Sequence, residues 1–153
     1  MEGGCACGTV RYACDGPPMF VHCCHCTSCQ HENGTAFALN ALWEADRVRL
    51  IAGETEAHLI PTESGKGQML ARCPACRAVL WSNYAGAGEA IRFVRVGTLD
   101  DPAACVPDVH IYVRSKLPWV VLPDGARAFE GYYSTRAEWP EESLARRAAA
   151  VGA

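Results

Sequence analysis

The sequence contains ten cysteines, and seven of them fall into three close-spaced groups. The groups are a C-x-C pair, a triplet and a C-x-x-C pair, formed by Cys5 and Cys7, by Cys24, Cys26 and Cys29, and by Cys73 and Cys76. The chain begins without the basic region and apolar stretch of a secretory signal, so we expect a cytoplasmic protein. In a reducing compartment, cysteines at such spacings indicate metal ligation or catalysis before disulfides.

Length and composition set the remaining limits. The chain has 153 residues, half of them hydrophobic and a fifth charged, which fits one globular domain and excludes disordered and fibrous classes. We predict a catalytic domain over residues 1–133 and a C-terminal tail over 134–153 that is partly helical. The net charge of -3 and the lack of a long basic run predict no nucleic-acid partner. The apolar runs are far shorter than the roughly 20 residues that cross a bilayer, so no membrane span is expected.

The chain alternates short β-branched or apolar runs with Gly, Pro, Asp and Asn, a pattern typical of many short strands joined by turns. The sequence therefore predicts a mostly β fold. The candidate strands cover residues 9–13, 19–22, 35–43, 48–51, 57–60, 68–72, 79–82, 91–96 and 109–113. Helix is expected only over residues 26–32 and over 141–151, where Pro140 precedes a run rich in Ala, Arg and Glu.

Two of the cysteine groups can form one closed metal site. Cys5 and Cys7 together with Cys73 and Cys76 supply four thiolates, the ligand set of a tetrahedral structural zinc. Such a site would fix the long loop between the two pairs, so its binding free energy would become folding free energy. The alternative is that one pair consists of ordinary buried thiols.

The middle group, Cys24, Cys26 and Cys29, offers only three thiolates. Three protein ligands leave one position of a tetrahedral zinc open for substrate or water, which is the arrangement of catalytic sites. A thiolate-rich zinc also accepts a further thiolate readily.

The middle group has two alternative interpretations, a closed metal site and a redox couple. A fourth ligand from His22, Cys23 or His25 would close the site, although strand alternation predicts that Cys23 and His25 point away from Cys24 and Cys26. A redox couple of Cys26 and Cys29 is a further alternative, but the thioredoxin-like context that it requires is absent. We assign no role to the remaining cysteines, Cys14, Cys23 and Cys105.

The chain resembles the glutathione-dependent formaldehyde-activating enzyme family, which includes the centromere protein V relatives. The resemblance extends from residue 3 to about residue 131. It rests on residues 4–12 (GCACGTVRY), 24–29 (CHCTSC), 34–37 (GTAF), 49–50 (RL), 53–54 (GE), 73–76 (CPAC), 97–102 (GTLDDP) and 110–119 (HIYVRSKLPW).

The resemblance implies a β-tent fold of short antiparallel strands around a structural zinc, with little helix and two zinc ions per chain. The family pattern places the structural zinc on Cys5, Cys7, Cys73 and Cys76, and the catalytic zinc on Cys24, Cys26 and Cys29. The implied activity is that of a carbon-sulfur lyase that condenses glutathione with formaldehyde to S-hydroxymethylglutathione. In that scheme the glutathione thiolate occupies the open zinc position.

Three residues depart from the family pattern. Gln30 and His31 stand where many members have two arginines, which alters any anion contact made there. Arg77 stands where the second cysteine turn normally ends in Gly, at a cost on the order of 1 kcal/mol if that turn requires a positive φ. A thiol with two carboxylates then needs other basic partners, for which the candidates are Arg72, Arg77, Arg114 and Lys116.

Two functional hypotheses follow. The first is a zinc-dependent carbon-sulfur lyase acting on glutathione or a related thiol and on formaldehyde or a similar aldehyde. The second is a non-catalytic zinc-binding module that mediates protein interaction, which a completed fourth ligand on the middle group would favour. The sequence does not indicate an oligomeric state.

Overall fold

The computed structural model describes residues 1–62 and 64–152, so the last residue of the predicted C-terminal tail lies outside the described residues. The described chain is mostly β, as predicted. Its strands are β1 (Glu2–Gly4), β2 (Arg11–Cys14), β3 (Phe20–Cys24), β4 (Ala38–Glu44), β5 (Val48–Ala52), β6 (Glu56–Ile60), β7 (Gln68–Arg72), β8 (Val79–Tyr84), β9 (Ile91–Arg95), β10 (Val109–Ile111) and β11 (Ala128–Phe129).

The strands form two sheets. The smaller sheet has the order β1-β2-β5, and the larger one has the order β11-β10-β3-β4-β9-β8-β7-β6. Most neighbouring pairs are antiparallel, but β10 pairs in parallel with both β3 and β11. The antiparallel strands that the resemblance implies thus make up most of the fold, and parallel pairing is confined to this edge of the described sheet. A parallel pair needs a long crossover connection. Strands β4 to β9 lie between β3 and β10 in the sequence, so the connection is long enough.

The core consists of two hydrophobic clusters. One is built around Tyr12, Trp43 and Trp81, and contains Cys5 and Cys73. The other is built around Phe20, Phe93 and Trp139 and contains the three cysteines of the middle group, Cys24, Cys26 and Cys29. Each cysteine group that was predicted to bind metal thus lies beside packed aromatic side chains.

The first α-helix, α1 (Thr27–Asn33), follows the middle cysteine group directly. Cys26 is its N-cap residue, and its Sγ accepts a hydrogen bond from the backbone N–H of Cys29 at 3.3 Å. Gly34 ends the helix with a φ of 63°, a left-handed conformation that glycine adopts without a steric penalty. The helix therefore begins and ends on local sequence signals.

Two further helices, α2 (Thr135–Glu138) and α3 (Glu141–Val151), lie in the segment predicted as a tail. The bounds of α3 confirm the predicted helix. The Ser143 hydroxyl donates to the Met19 carbonyl at 2.7 Å, and Arg146 donates two hydrogen bonds of 2.7 Å to the Glu44 carboxylate. These contacts fix α3 against the larger sheet, while the division of the chain at residue 133 stays a prediction. Within the described residues, no helix is both long enough and apolar enough to cross a bilayer.

Candidate active site and metal centres

The two outer cysteine pairs meet in space. Cys5 and Cys7 lie in the turn between β1 and β2, and Cys73 and Cys76 lie in the turn between β7 and β8. The sulfurs of Cys5 and Cys7 are 3.4 Å apart, those of Cys7 and Cys73 are 3.7 Å apart, and all four lie within 4.8 Å of one another. The structure therefore brings together the four residues that the sequence pairs.

Each turn is shaped by hydrogen bonds around its first cysteine. In the first turn the Gly8 N–H donates to the Cys5 carbonyl at 3.0 Å, and in the second the Arg77 N–H donates to the Cys73 carbonyl at 3.0 Å. Gly8 has a φ of 77° and Arg77 a φ of 64°, so the two turns use the same left-handed position. The turn does require a positive φ at Arg77, so the side chain there costs on the order of 1 kcal/mol relative to glycine.

The donor set of this cluster suits zinc. Sulfurs bound tetrahedrally at about 2.3 Å would stand roughly 3.8 Å apart, close to the observed separations. The hydroxyl of Thr9 lies 3.2 Å from Cys7 Sγ. Hydrogen bonding with Thr9 is the main cause that lowers the pKa of Cys7 to about 6, and a backbone hydrogen bond with Ala78 lowers the pKa of Cys76. Both shifts favour the thiolate form that a metal ion requires.

The middle group also converges. Cys24 ends β3, Cys26 caps α1 and Cys29 lies in the first turn of α1, and all three side chains are buried. The Cys24 and Cys29 sulfurs are 3.5 Å apart, and the three sulfurs lie within 4.8 Å of one another. This spacing again suits a thiolate-bound ion.

The three sulfurs do not ionise independently. Hydrogen bonds with Cys24 and Cys29 lower the pKa of Cys26 to about 3, whereas the hydrogen bond with Cys26 raises the pKa of Cys24 far above its usual value. Without a cation the cluster therefore favours one thiolate on Cys26, because three neighbouring negative charges repel one another. A divalent ion would remove that restriction.

The neighbours of the triplet do not supply a fourth ligand. Nε2 of His22 makes a hydrogen bond with the Tyr133 hydroxyl, and burial lowers the pKa of His22 to about 3, so its ring is neutral. Cys23 and His25 belong to a different group, as strand alternation predicts. Among residues 1–62 and 64–152, no other Cys, His, Asp or Glu places a ligand atom within 4.8 Å of all three sulfurs.

The triplet faces a cavity of about 350 Å³. Its walls are largely aromatic and aliphatic, and they also include Lys66, Gln68 and Arg147. Gln68 is only 3% exposed, and its Oε1 has no hydrogen-bond partner among the described residues. The apolar lining residues are Leu42, Tyr84, Ile91, Phe93, Ile111, Tyr112, Tyr132 and Trp139.

Sequence reasoning did not find the cavity's polar groups. The four basic residues predicted as carboxylate partners, Arg72, Arg77, Arg114 and Lys116, are absent from the cavity lining, where Lys66 and Arg147 stand instead. Both lie far along the chain from the triplet, and neither belongs to a recognisable motif. Only the folded arrangement identifies them.

Gln30, which departs from the family pattern, has a structural contact. Its Nε2 donates to the carbonyls of His25 and Ser115, each at 2.9 Å. It thereby connects the short link between β3 and α1 to the segment after β10. His31 is exposed. Glu32 receives hydrogen bonds from Arg95 at 2.8 Å and from Arg72 at 3.4 Å, which fix α1 to β9 and β7.

Comparisons with known proteins agree with these features. The family model described as "Glutathione-dependent formaldehyde-activating enzyme" matches residues 1–115. A Halomonas elongata protein named "Putative glutathione-dependent formaldehyde-activating enzyme" is 26% identical over 161 residues, a match that covers 99% of this chain and 96% of the relative. The crystal structure of a Rhodobacter sphaeroides protein superposes with a TM-score of 0.50 at 17% identity, covering 84% of this chain and 99% of that one. The structural match supports the fold alone.

Proposed function

Because the chain belongs to the glutathione-dependent formaldehyde-activating enzyme family, we propose that it is a carbon-sulfur lyase that joins a thiol to an aldehyde, with glutathione and formaldehyde as the first pair to test. The observation that carries this proposal is the convergence of Cys24, Cys26 and Cys29 on a 350 Å³ cavity with no fourth ligand among the described residues. A cavity of this size suits a small organic substrate.

The proposal assigns a structural zinc to Cys5, Cys7, Cys73 and Cys76, and a catalytic zinc to Cys24, Cys26 and Cys29. When bound at the catalytic site, zinc supplies a Lewis acid that favours the deprotonated form of a nearby thiol. In the net reaction the thiol sulfur bonds to the carbonyl carbon, the carbon-oxygen π bond breaks, and the proton lost by the thiol is balanced by one gained at the aldehyde oxygen, which becomes a hydroxyl group. The reverse reaction breaks the same carbon-sulfur bond.

The residues of the chain position the substrates. The aromatic and aliphatic walls displace water from the reacting atoms, which strengthens polar interactions inside the cavity. Lys66 and Arg147 give the cavity two positive charges for substrate carboxylates. Oε1 of Gln68, which has no hydrogen-bond partner in the described part of the chain, can accept a hydrogen bond from a substrate N–H. This set of groups suits a thiol that carries carboxylates and an amide.

The alternative function, a non-catalytic zinc module that binds a protein partner, predicts a closed middle group. The open fourth position among the described residues supports the enzyme in preference to that alternative. The side chain of Trp119, which is 71% exposed, is available for contacts under either function.

The test is a rate measurement, because thiols add to formaldehyde without a catalyst. Exchange NMR at equilibrium measures how fast glutathione and formaldehyde interconvert with their S-hydroxymethyl adduct. We expect the wild-type chain to accelerate this exchange and Cys26→Ser to reduce it to the protein-free rate. Serine can still accept the helix-capping hydrogen bond from Cys29, so α1 is retained.

Cys105→Ser is the matched control, because Cys105 is buried but belongs to none of the three ligand groups in the described chain. It should exchange as fast as the wild type. Equal rates for Cys26→Ser and the wild type would overturn the proposed function, as would a wild-type rate no faster than that of protein-free solution.

A further inference from the structure

A second set of ligand-type side chains lies behind the catalytic triplet. Successive residues of a strand point to opposite faces, so Cys23 lies on the face opposite Cys24. The parallel register places His110 of β10 directly beside Cys23 of β3. The His25 N–H donates to the Ile111 carbonyl at 2.9 Å, which extends the same ladder by one residue beyond Cys24. Cys23, His25 and His110 are therefore neighbours on one face of the sheet.

The distances between these side chains match a shared ion. Sγ of Cys23 is 3.6 Å from Nε2 of His25, and that nitrogen is 3.1 Å from Nδ1 of His110. Ligands held tetrahedrally at about 2.3 Å for sulfur and about 2.05 Å for nitrogen would show roughly 3.6 Å between S and N and roughly 3.3 Å between the two N atoms. All three ligand atoms lie within 4.8 Å of one another.

Hydrogen bonds alone do not account for the close approach of all three side chains. If Nε2 of His25 carries a proton, it can donate that proton to His110 or to Cys23 but not to both. A cation between the three groups would receive one lone pair from each. Nδ1 of His25 has no partner among the described residues in either arrangement, so it does not distinguish them.

We propose that Cys23, His25 and His110 form a third metal site, which binds a divalent ion of the zinc class. One thiolate and two imidazoles are a borderline-soft ligand set that favours Zn²⁺, and also Co²⁺ and Cd²⁺, over Mg²⁺ or Ca²⁺. Three protein ligands leave one position for water. The site shares no ligand with the catalytic triplet. The proposal of a third metal site therefore does not depend on the proposed lyase activity.

The site's position gives it a structural role. Cys23 is 3% exposed, His25 is not exposed and His110 is 9% exposed, so an ion there would be enclosed. It would connect the end of β3 to β10, on the sheet face opposite Cys24. The ion would thus hold the backbone between Cys24 and Cys26 from the side opposite the cavity.

The first test counts zinc in the purified full-length chain by elemental analysis. We expect three Zn²⁺ per wild-type chain and two in Cys23→Ser and in His110→Gln. Cys105→Ser and His58→Gln are matched controls, since Cys105 is a buried cysteine outside the clusters and His58 is an exposed histidine on β6. Both controls should retain three. Equal zinc counts in the wild type and in the two site variants would overturn the proposal.

The second test needs no variant and so holds even if those variants fail to fold. After the wild-type chain is loaded with ¹¹³Cd²⁺, its ¹¹³Cd NMR spectrum should show three resonances. Two should fall in the range of thiolate-rich sites, and the third should lie well upfield, as expected for one sulfur and two nitrogens. Only two resonances, both in the thiolate-rich range, would contradict a third site.

Discussion

Glu32 is a single acidic residue that fixes α1 to the larger sheet. Its side chain is 5% exposed and that of Arg95 is 7% exposed, and the two form an ion pair at 2.8 Å. Arg95 also donates a hydrogen bond to Asn40. Removing the negative charge would leave a buried guanidinium without its counter-ion, which is far more costly than the loss of an exposed pair.

We therefore expect Glu32→Gln to lower the free energy of unfolding by about 3 kcal/mol. Glu56→Gln is the control, because Glu56 pairs with Arg77 at side-chain exposures of 44% and 60%. Its loss should cost less than about 1 kcal/mol. Denaturant unfolding of both variants checks this prediction. Similar losses in the two would mean that the burial of the Glu32 pair has no energetic consequence.

At the scale of elements, the strands could be predicted where side chains alternate. β7 (Gln68–Arg72) and α3 (Glu141–Val151) are found at the predicted bounds, and the other predicted strands are present with ends shifted by a few residues. β1 and β11 were missed because they are short and lack an alternating pattern. β1 is held by its pairing with β2, where Gly3 lies against the ring of Tyr12. Pairing of this kind is set by tertiary contacts.

The docking of α3 gives a prediction about pH. Burial raises the pKa of the Glu44 carboxyl, but the hydrogen bonds and charge of Arg146, together with a backbone hydrogen bond and the charge of Arg47, outweigh burial and hold that pKa below its usual value. A pKa lowered by folding means that the contact stabilises the protein above the unfolded pKa, about 4.3, and loses that effect as pH falls through the folded pKa.

We expect Glu44→Gln to cost about 2 kcal/mol near neutral pH and to lower amide-exchange protection along α3. The difference from wild type should shrink as pH falls below about 4.3. Comparing the two proteins over one pH series cancels any loss caused by protonation of the clustered cysteines, which both share. A difference that stays constant down to pH 3 would show that the Glu44 charge does not hold α3.

At the scale of the whole molecule, the cysteine groups and the cavity differ in how far sequence could predict them. The sequence could identify the cysteine groups because each pair or triplet is local, with its spacing fixed by one turn. The walls of the cavity were not, because Lys66, Gln68, Tyr132 and Arg147 come from distant parts of the chain. The parallel placement of β10 next to β3, which creates the Cys23, His25 and His110 group, likewise depends on chain topology.

The two thiolate clusters should differ in what they contribute to folding. Cys7 and Cys73 are 66 residues apart in sequence. The four-cysteine cluster joins the turn between β1 and β2 of the smaller sheet to the turn between β7 and β8 of the larger one. A structural zinc can contribute on the order of 10 kcal/mol, which is comparable to the whole stability of a domain. The triplet, by contrast, lies within one strand end and the short helix that follows it.

Cys73→Ser should therefore unfold the chain or abolish its cooperative thermal transition. Cys24→Ser should keep that transition, with a fall in Tm of less than about 10 °C, and lose one zinc ion. Calorimetry and elemental analysis on the same samples separate the two effects. Because Cys5 and Cys73 are part of the core around Tyr12 and Trp81, the loss of that ion exposes packed apolar surface. Equal falls in Tm would mean that closure of the long loop does not depend on the four-cysteine cluster.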